Sequence, residues 1–245
     1  MSDPLYIDEL KLYVGRDFEV NKYIKIHVPR VGEIIDYGEQ EYYQMIYSLT
    51  AIPSDVKSML SDMNIDYEEI SDFELFYMLT RNLDSEKTKI LFYDLNLSNM
   101  HLYKDENGKL VMYDKEKDIR LDELSYLRLV KCLRKLHSIT PKIEKAANKT
   151  TKKILIQLDR ERIQKQKDKD YESTLKPLIS AMMRYPGFKY KTSELIDCTI
   201  YEFMDTVIGA QIYVSSTTLL QGSYSGMCDT SKINKKEFNW LRGID

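Results

Sequence analysis

The chain reads as a mostly helical α+β protein with a small antiparallel β insertion near residues 87–121. Three observations predict this. Apolar residues recur at three- and four-residue intervals through most of the chain, the period changes to alternation between Lys87 and Arg120, and an Asn-Gly pair sits inside the alternating stretch. Of the 245 residues, 43% are hydrophobic and 31% charged, with a formal charge of −3, a composition that supports a packed core. The mean hydropathy is −0.45, and the longest uncharged stretches, such as Val207–Leu220, are broken by polar residues, which excludes a membrane span. The acidic start at Asp3 lacks the basic and apolar parts of an export signal, so a cytoplasmic protein is expected. Cys132, Cys198 and Cys228 lie far apart with no Cys-x-x-Cys, which predicts reduced, mostly buried thiols.

Tyr23–Val28 alternates as a short strand, with Ile24, Ile26 and Val28 on one face, and stops at Pro29. Ile34, Ile35, Tyr42, Met45, Ile46 and Leu49 then predict one helix from Gly32-Glu33 to a point before Pro53. Ser54 is the expected cap of the next helix, buried through Val56, Met59, Leu60 and Met63 and broken at Asn64-Ile65-Asp66. Ser71 and Glu74 have capping-box spacing and open a helix through Leu75, Phe76, Met78 and Leu79. Ile90–Tyr93, Met100–Tyr103 and Leu110–Tyr113 read as β-type runs, the last two joined by a turn in which Asn107-Gly108 supplies the positive φ angles. Asp122 caps a helix with Leu124, Leu127, Val130, Leu133 and Leu136 on its buried face. Asn148–Lys167 predicts an exposed helix with a narrow stripe of Ile154, Leu155, Leu158 and Ile163. Helices through Leu175–Met182, over Thr199–Ala210, over Ser215–Leu220 and at Lys235–Leu241 follow, with a turn at Tyr185-Pro186-Gly187. The chain divides into 1–86 (strand plus helices), 87–121 (β insertion) and 122–245 (helical), with no linker long enough to make them autonomous, so one compact unit is expected.

Charge is uneven: residues 1–85 carry 17 acidic against 7 basic side chains, and Lys142–Lys169 carries 10 basic against 4 acidic. Such asymmetry marks an intramolecular contact, a charged partner or two solvated faces. The acidic run Asp62, Asp66, Glu68, Glu69, Asp72 and Glu74 lacks calcium-loop geometry. The basic stretch lacks interleaved aromatics, so nucleic acid is not the expected partner. Asp94-Leu95-x-x-x-Asn99, followed after a hairpin by Asp114, has the spacing of a kinase-type catalytic loop and metal Asp. Phe92 stands in place of the loop His, however, Lys115-Glu116 in place of Phe-Gly, and no Gly-rich phosphate loop precedes them. Gly222-Ser223-Tyr224-Ser225-Gly226 has Tyr at the centre where a nucleophile elbow needs Ser. His27, His101 and His137 lie in separate elements without metal-ligand spacing. No catalytic, cofactor-binding or metal residues are therefore assigned, and no cofactor is expected. The nineteen tyrosines suit a protein interface, as does Trp240, the sole tryptophan, which either anchors the C-terminal tail or meets a partner.

Strand, Pro29 and Val31-Gly32-Glu33-Ile34-Ile35 together resemble the Pro-Thr-x-Gly-Glu-Ile opening of bacteriophage tail assembly proteins. Further segments, among them Ile70–Phe76, Glu144–Asn148, Pro177–Met182, Gly187–Tyr190, Phe203–Asp205 and Lys232–Trp240, are similar to proteins encoded in the tail-gene region of phages and prophages of Gram-positive bacteria. The resemblance runs nearly end to end. It implies a non-enzymatic tail morphogenesis protein, a chaperone that holds the tape-measure or tail-tube protein in the host cytoplasm, with a structural tail or baseplate subunit of the virion as the alternative. An alternative of another class is a kinase-like phosphotransferase using Asp94, Asn99 and Asp114. Ile154, Leu155, Leu158 and Trp240 are the expected partner-binding residues, and homo-oligomerisation is compatible with the pattern.

Overall fold

The computed structural model describes residues 3–167, 169–226 and 229–243, which are 54% helical and contain two small antiparallel sheets. The α+β, mostly helical class is as the periodicity predicts. Asp8 caps α1 (Glu9–Tyr13) by accepting from the Lys11 amide. β1 (Phe18–Glu19) pairs with β2 (Lys25–Ile26) in a two-residue ladder, closed by Asn21, whose side chain accepts the Tyr23 and Ile24 amides. Ile24, Ile26 and Val28 are all buried.

The single helix expected from Gly32 to Pro53 is two, α2 (Val31–Tyr37) and α3 (Glu39–Thr50). Gly38 separates them with φ +105°, a left-handed conformation that other residues adopt at a cost. Ser54 does not cap α4 (Lys57–Asp62). It lies in a single 3-10 turn and exchanges hydrogen bonds with the backbone of Glu144. Of the expected stripe on α4, Val56 and Leu60 are buried but Met63 is exposed, because Asn64 turns the chain there with φ +59°. The capping box on α5 (Asp72–Thr80) forms as predicted.

Ile90–Tyr93 does not form a strand. Asp84 caps α6 (Ser85–Phe92), and Leu91 and Phe92 enter the core from a helix. The β insertion is therefore shorter than expected: a meander of β3 (His101–Lys104), β4 (Leu110–Asp114) and β5 (Ile119–Asp122) in the order β3-β4-β5. At its first turn Gly108 has φ +75° while Asn107 does not share the positive φ, and the Asp105 carboxylate accepts the Asn107 and Lys109 amides.

Asp122 caps α7 (Glu123–Leu136). The buried face is Tyr126, Leu129, Val130, Leu133 and Leu136, while Leu124 and Leu127 are exposed, so the apolar stripe is wider than the covered one. An irregular segment leads to α8 (Lys149–Lys167), then α9 (Leu175–Arg184) and α10 (Thr192–Leu195). The two helices expected over 199–220 are one, α11 (Ile200–Tyr224), about 37 Å long at 1.5 Å per residue. Its Ser-Ser-Thr-Thr stretch does not break it, because the Ser216 hydroxyl donates to the Glu237 carbonyl and the Thr217 hydroxyl to the Tyr213 carbonyl. The terminal helix is a single 3-10 turn, Lys235–Phe238.

One hydrophobic cluster runs from Ile7 to Val207 and draws on all three sequence segments. Backbone bonds stitch the start of α2 to the segment that enters α11: the Val31 and Gly32 amides donate to the Cys198 and Ile196 carbonyls, and the Ile200 amide to the Pro29 carbonyl. A satellite cluster of Val56, Leu60, Tyr67 and Leu75 sits under α8.

Candidate partner-binding surfaces

α8 lies on α4 through a face that is polar at its centre. Asp159, 4% exposed, accepts the amide and hydroxyl of Ser58 at 2.9 and 2.7 Å, so it caps α4 from another helix. It also takes the Arg162 guanidinium at 2.7 Å. Burial raises the Asp159 carboxyl, but those hydrogen bonds and Arg162 outweigh it and hold the group below the ordinary Asp value. Lys152 bridges Asp66 and Glu68, Arg160 meets Asp62, and the buried Lys57 ammonium pairs with Glu144 at 2.8 Å. The hydrogen bonds to Lys152 and Lys57 keep the Asp66, Glu68 and Glu144 carboxyls low. The acidic run and the basic stretch thus meet each other, the intramolecular contact among the three readings of the charge asymmetry.

That packing decides where the predicted partner residues point. Ile156 packs on the satellite cluster. Ile154 and Leu158 face outward, 54% and 55% exposed, and Leu155 is half-buried. Trp240 is half-exposed and stands edge-on to Tyr213 of α11, ring centroids 5.8 Å apart. It fastens the tail to α11 and leaves an open side. The two predicted groups are apart in the fold, one on α8 and the other in the tail beside α11.

Sequence reasoning missed a further surface, the distal half of α11. Beyond Ala210 this helix is covered by the C-terminal segment on one side only, with Ser216 the buried residue of that half. Tyr213, Thr217, Leu220 and Tyr224 share a face at i, i+4, i+7 and i+11, and Tyr213, Val214 and Tyr224 are exposed. The signal was present: residues 206–228 contain no Asp, Glu, Lys or Arg in a chain that is 31% charged. Gly222–Tyr224 belongs to this helix, so the segment compared with a nucleophile elbow is a helical end.

A groove of about 1080 Å³ runs between α7, α11 and the N-terminal arm, with Leu5, Tyr6, Leu127, Lys131, Asp205 and Ile208 in its lining. Lys131 donates to the Leu5 carbonyl at 2.8 Å and Lys135 pairs with Glu9 at 3.1 Å, so its cations tie the arm to α7. Burial raises the Asp72 and Asp205 carboxyls that line it.

The kinase-type residues do not line that groove. The Asp94 side chain is 92% exposed, and Lys117 donates to the Asp94 carbonyl. The Asn99 amide faces Glu116 at 3.4 Å. Asp114 is buried and its Oδ1 accepts the Glu116 and Lys117 amides, a turn-capping role. Among the described residues no group of three or more His, Cys, Asp or Glu is placed to hold a metal ion.

The histidines separate. His101 is exposed on β3, and His27 lies between Asp17 and Glu33. His137 is buried. Its Nδ1–H donates to the Leu133 carbonyl at 2.8 Å, and its Nε2 accepts the Tyr42 hydroxyl at 2.6 Å. Burial pushes its pKa down to about 4, so the ring is neutral at pH 7. Cys132 and Cys198 are free and buried, with thiols raised chiefly by burial; Cys228 lies outside the described residues. Among the described residues no helix is long and apolar enough to cross a membrane. No protein-family model, curated protein or solved structure matches this chain.

Proposed function

We propose that the chain is a non-enzymatic protein-binding factor of bacteriophage tail morphogenesis, a chaperone that holds the tape-measure or tail-tube protein in the host cytoplasm before polymerisation. The observation that carries this reading is the charge-free, exposed face of α11 with Tyr213 and Tyr224, bordered by Trp240. A long helical partner with apolar faces needs shielding by a neutral aromatic surface, because apolar burial is non-directional and tolerates sliding before assembly fixes a register. Large aromatic groups also carry most of the binding energy in such contacts. The resemblance to tail-region proteins supplies the partner class.

The test is co-expression with tape-measure and tail-tube proteins from the same gene cluster, followed by size-exclusion chromatography. A soluble complex that weakens with Tyr213→Ala or Trp240→Ala, together with absence of the chain from purified virions, supports the chaperone. Failure to bind either protein overturns it. Stoichiometric presence in virions would replace it with a structural tail or baseplate subunit.

A further inference from the structure

We propose that the outward face of α8 docks an acidic amphipathic helix of a second protein. The cations of this region fall into two sets. Lys152, Arg160 and Arg162 are spent on Asp66, Glu68, Asp62 and Asp159 within the chain. Lys149, Lys153, Lys165, Lys167 and Lys169 make no ion pair with any described residue.

On the outward face, Ile154 and Leu158 lie one helical turn apart and both more than half exposed, with Lys153 to one side and Lys165 and Lys169 beyond them, while Lys149 and Lys167 lie round the helix on the side of Ile156. Beyond Leu158 the surface dips into a shallow depression of about 330 Å³ that also takes in Lys165 and Lys169. Among the described residues the one acid on this face, Glu161, is engaged by the Gln157 amide at 3.0 Å.

An apolar pair at i and i+4 with a lysine on one flank and two more at its C-terminal end is the complement of a helix whose apolar stripe is bordered by Asp and Glu. A polyanion without apolar groups would leave Ile154 and Leu158 uncovered, and the face offers no aromatic ring for a base to stack on. The cations facing α4 are already neutralised, so the unpaired lysines present a field of one sign to an incoming partner.

This inference rests on the reading of the chain as a protein-binding factor, yet it concerns a different helix from α11, so the two can fail separately. The experiment titrates the full chain into a fluorescent synthetic helix of about 18 residues, with leucines at helical spacing and glutamates elsewhere, and into its counterpart with lysines for glutamates. The acidic helix should bind at least roughly tenfold tighter at low salt. Ile154→Ala with Leu158→Ala should abolish binding, and Lys153→Glu with Lys165→Glu should reverse the preference. All four side chains are exposed or end in solvent, so circular dichroism and the melting midpoint should stay at the parent values. Equal binding of the two helices overturns the proposal. So does retention of phosphatidylglycerol vesicles or duplex DNA that survives Ile154→Ala with Leu158→Ala and is lost with Lys153→Glu and Lys165→Glu. If Tyr213→Ala and Trp240→Ala remove tail-protein binding while the acidic helix still binds, the α8 surface stands on its own. If tail proteins never bind and the acidic helix does, the partner class falls and this surface remains.

Discussion

Lowering the pH from 7 to 5 should cost the folded chain about 2 kcal/mol through one residue, His137, whose ordinary pKa of 6.5 falls to about 4 in the fold. Its Nδ1–H is committed to the Leu133 carbonyl and its Nε2 to the Tyr42 hydroxyl, so a second proton would turn the Nε2 acceptor into a donor facing a donor. The group is a base with a depressed pKa. Above pH 6.5 it is neutral in both states and the linkage term is absent. As pH falls below 6.5 the unfolded chain takes up the proton and the folded one does not, so stability is lost until the folded pKa near 4 is reached. At 1.36 kcal/mol per pKa unit the full loss is about 3 kcal/mol. The carboxyls held low, Asp159, Glu144, Asp66 and Glu68, lose their contribution only as pH falls below their unfolded values near 4. Asp72 and Asp205, raised by burial, act with the opposite sign as pH falls, so the observed loss is a floor for His137. Urea unfolding followed by far-ultraviolet circular dichroism at pH 7, 6 and 5 measures it, with His137→Gln retaining an acceptor for Tyr42. A His137→Gln variant whose midpoint depends on pH between 7 and 5 as the parent's does would refute the argument.

Asp159→Ala should destabilise by about 2–4 kcal/mol, since it strips the α4 cap and leaves Arg162 without its carboxylate; amide exchange should rise first along α8. Gly32→Ala would place a Cβ 2.9 Å from the Ile196 carbonyl oxygen, which is backbone and cannot swing aside, and a loss of about 2 kcal/mol or more in urea unfolding is expected. Asp114→Ala removes the acceptor of two turn amides and should cost about 1–3 kcal/mol. The same variant and its parent should give the same null signal in magnesium-dependent nucleotide titration; a parent signal lost in the variant would restore the phosphotransferase reading.

Elements whose local chemistry and burial agree were legible in the sequence. The Ser71–Glu74 box, the Asp122 cap and the buried Ile24, Ile26 and Val28 all emerge where pattern alone puts them. The misses have specific causes. Ile90–Tyr93 has β-type composition but follows an Asp84 cap, and four apolar residues in a row do not distinguish strand from buried helix. Gly38 splits a continuous apolar period because backbone conformation overrides it. On α7 the apolar stripe exceeds the covered face, which leaves Leu127 to line the groove. Ile154 and Leu158 were read as partner residues from a narrow stripe, and the structure places both outward. Which helix faces Asp159 would meet, by contrast, depends on Ser58 a hundred residues away, and no local pattern encodes that. The distal α11 face was signalled only by a missing residue class, a cue that periodicity does not register.

The two surfaces obey different physics, and salt separates them. The acidic and basic runs neutralise each other between α4 and α8, so most of the chain's charge complementarity is consumed internally. α11 offers no charge from 206 to its end at 224, and a partner docked there would be held by apolar burial, which sulfate leaves intact or strengthens. The unpaired α8 lysines attract across water, and that attraction fades as the screening length shrinks from about 10 Å at 0.1 M to about 3 Å at 1 M salt. Tail-protein binding through α11 should therefore survive 1 M sodium chloride, and binding of an acidic helix on α8 should fall by at least roughly tenfold over the same range. The internal clasp is less exposed to this loss than the outer lysines, because Asp159 and Lys57 are buried where ions do not enter. A salt series on one complex can thus assign it to one helix before any mutation is made. A tail-protein complex that dissociates at high salt while the fold persists would count against α11 as the proposed docking surface and in favour of α8.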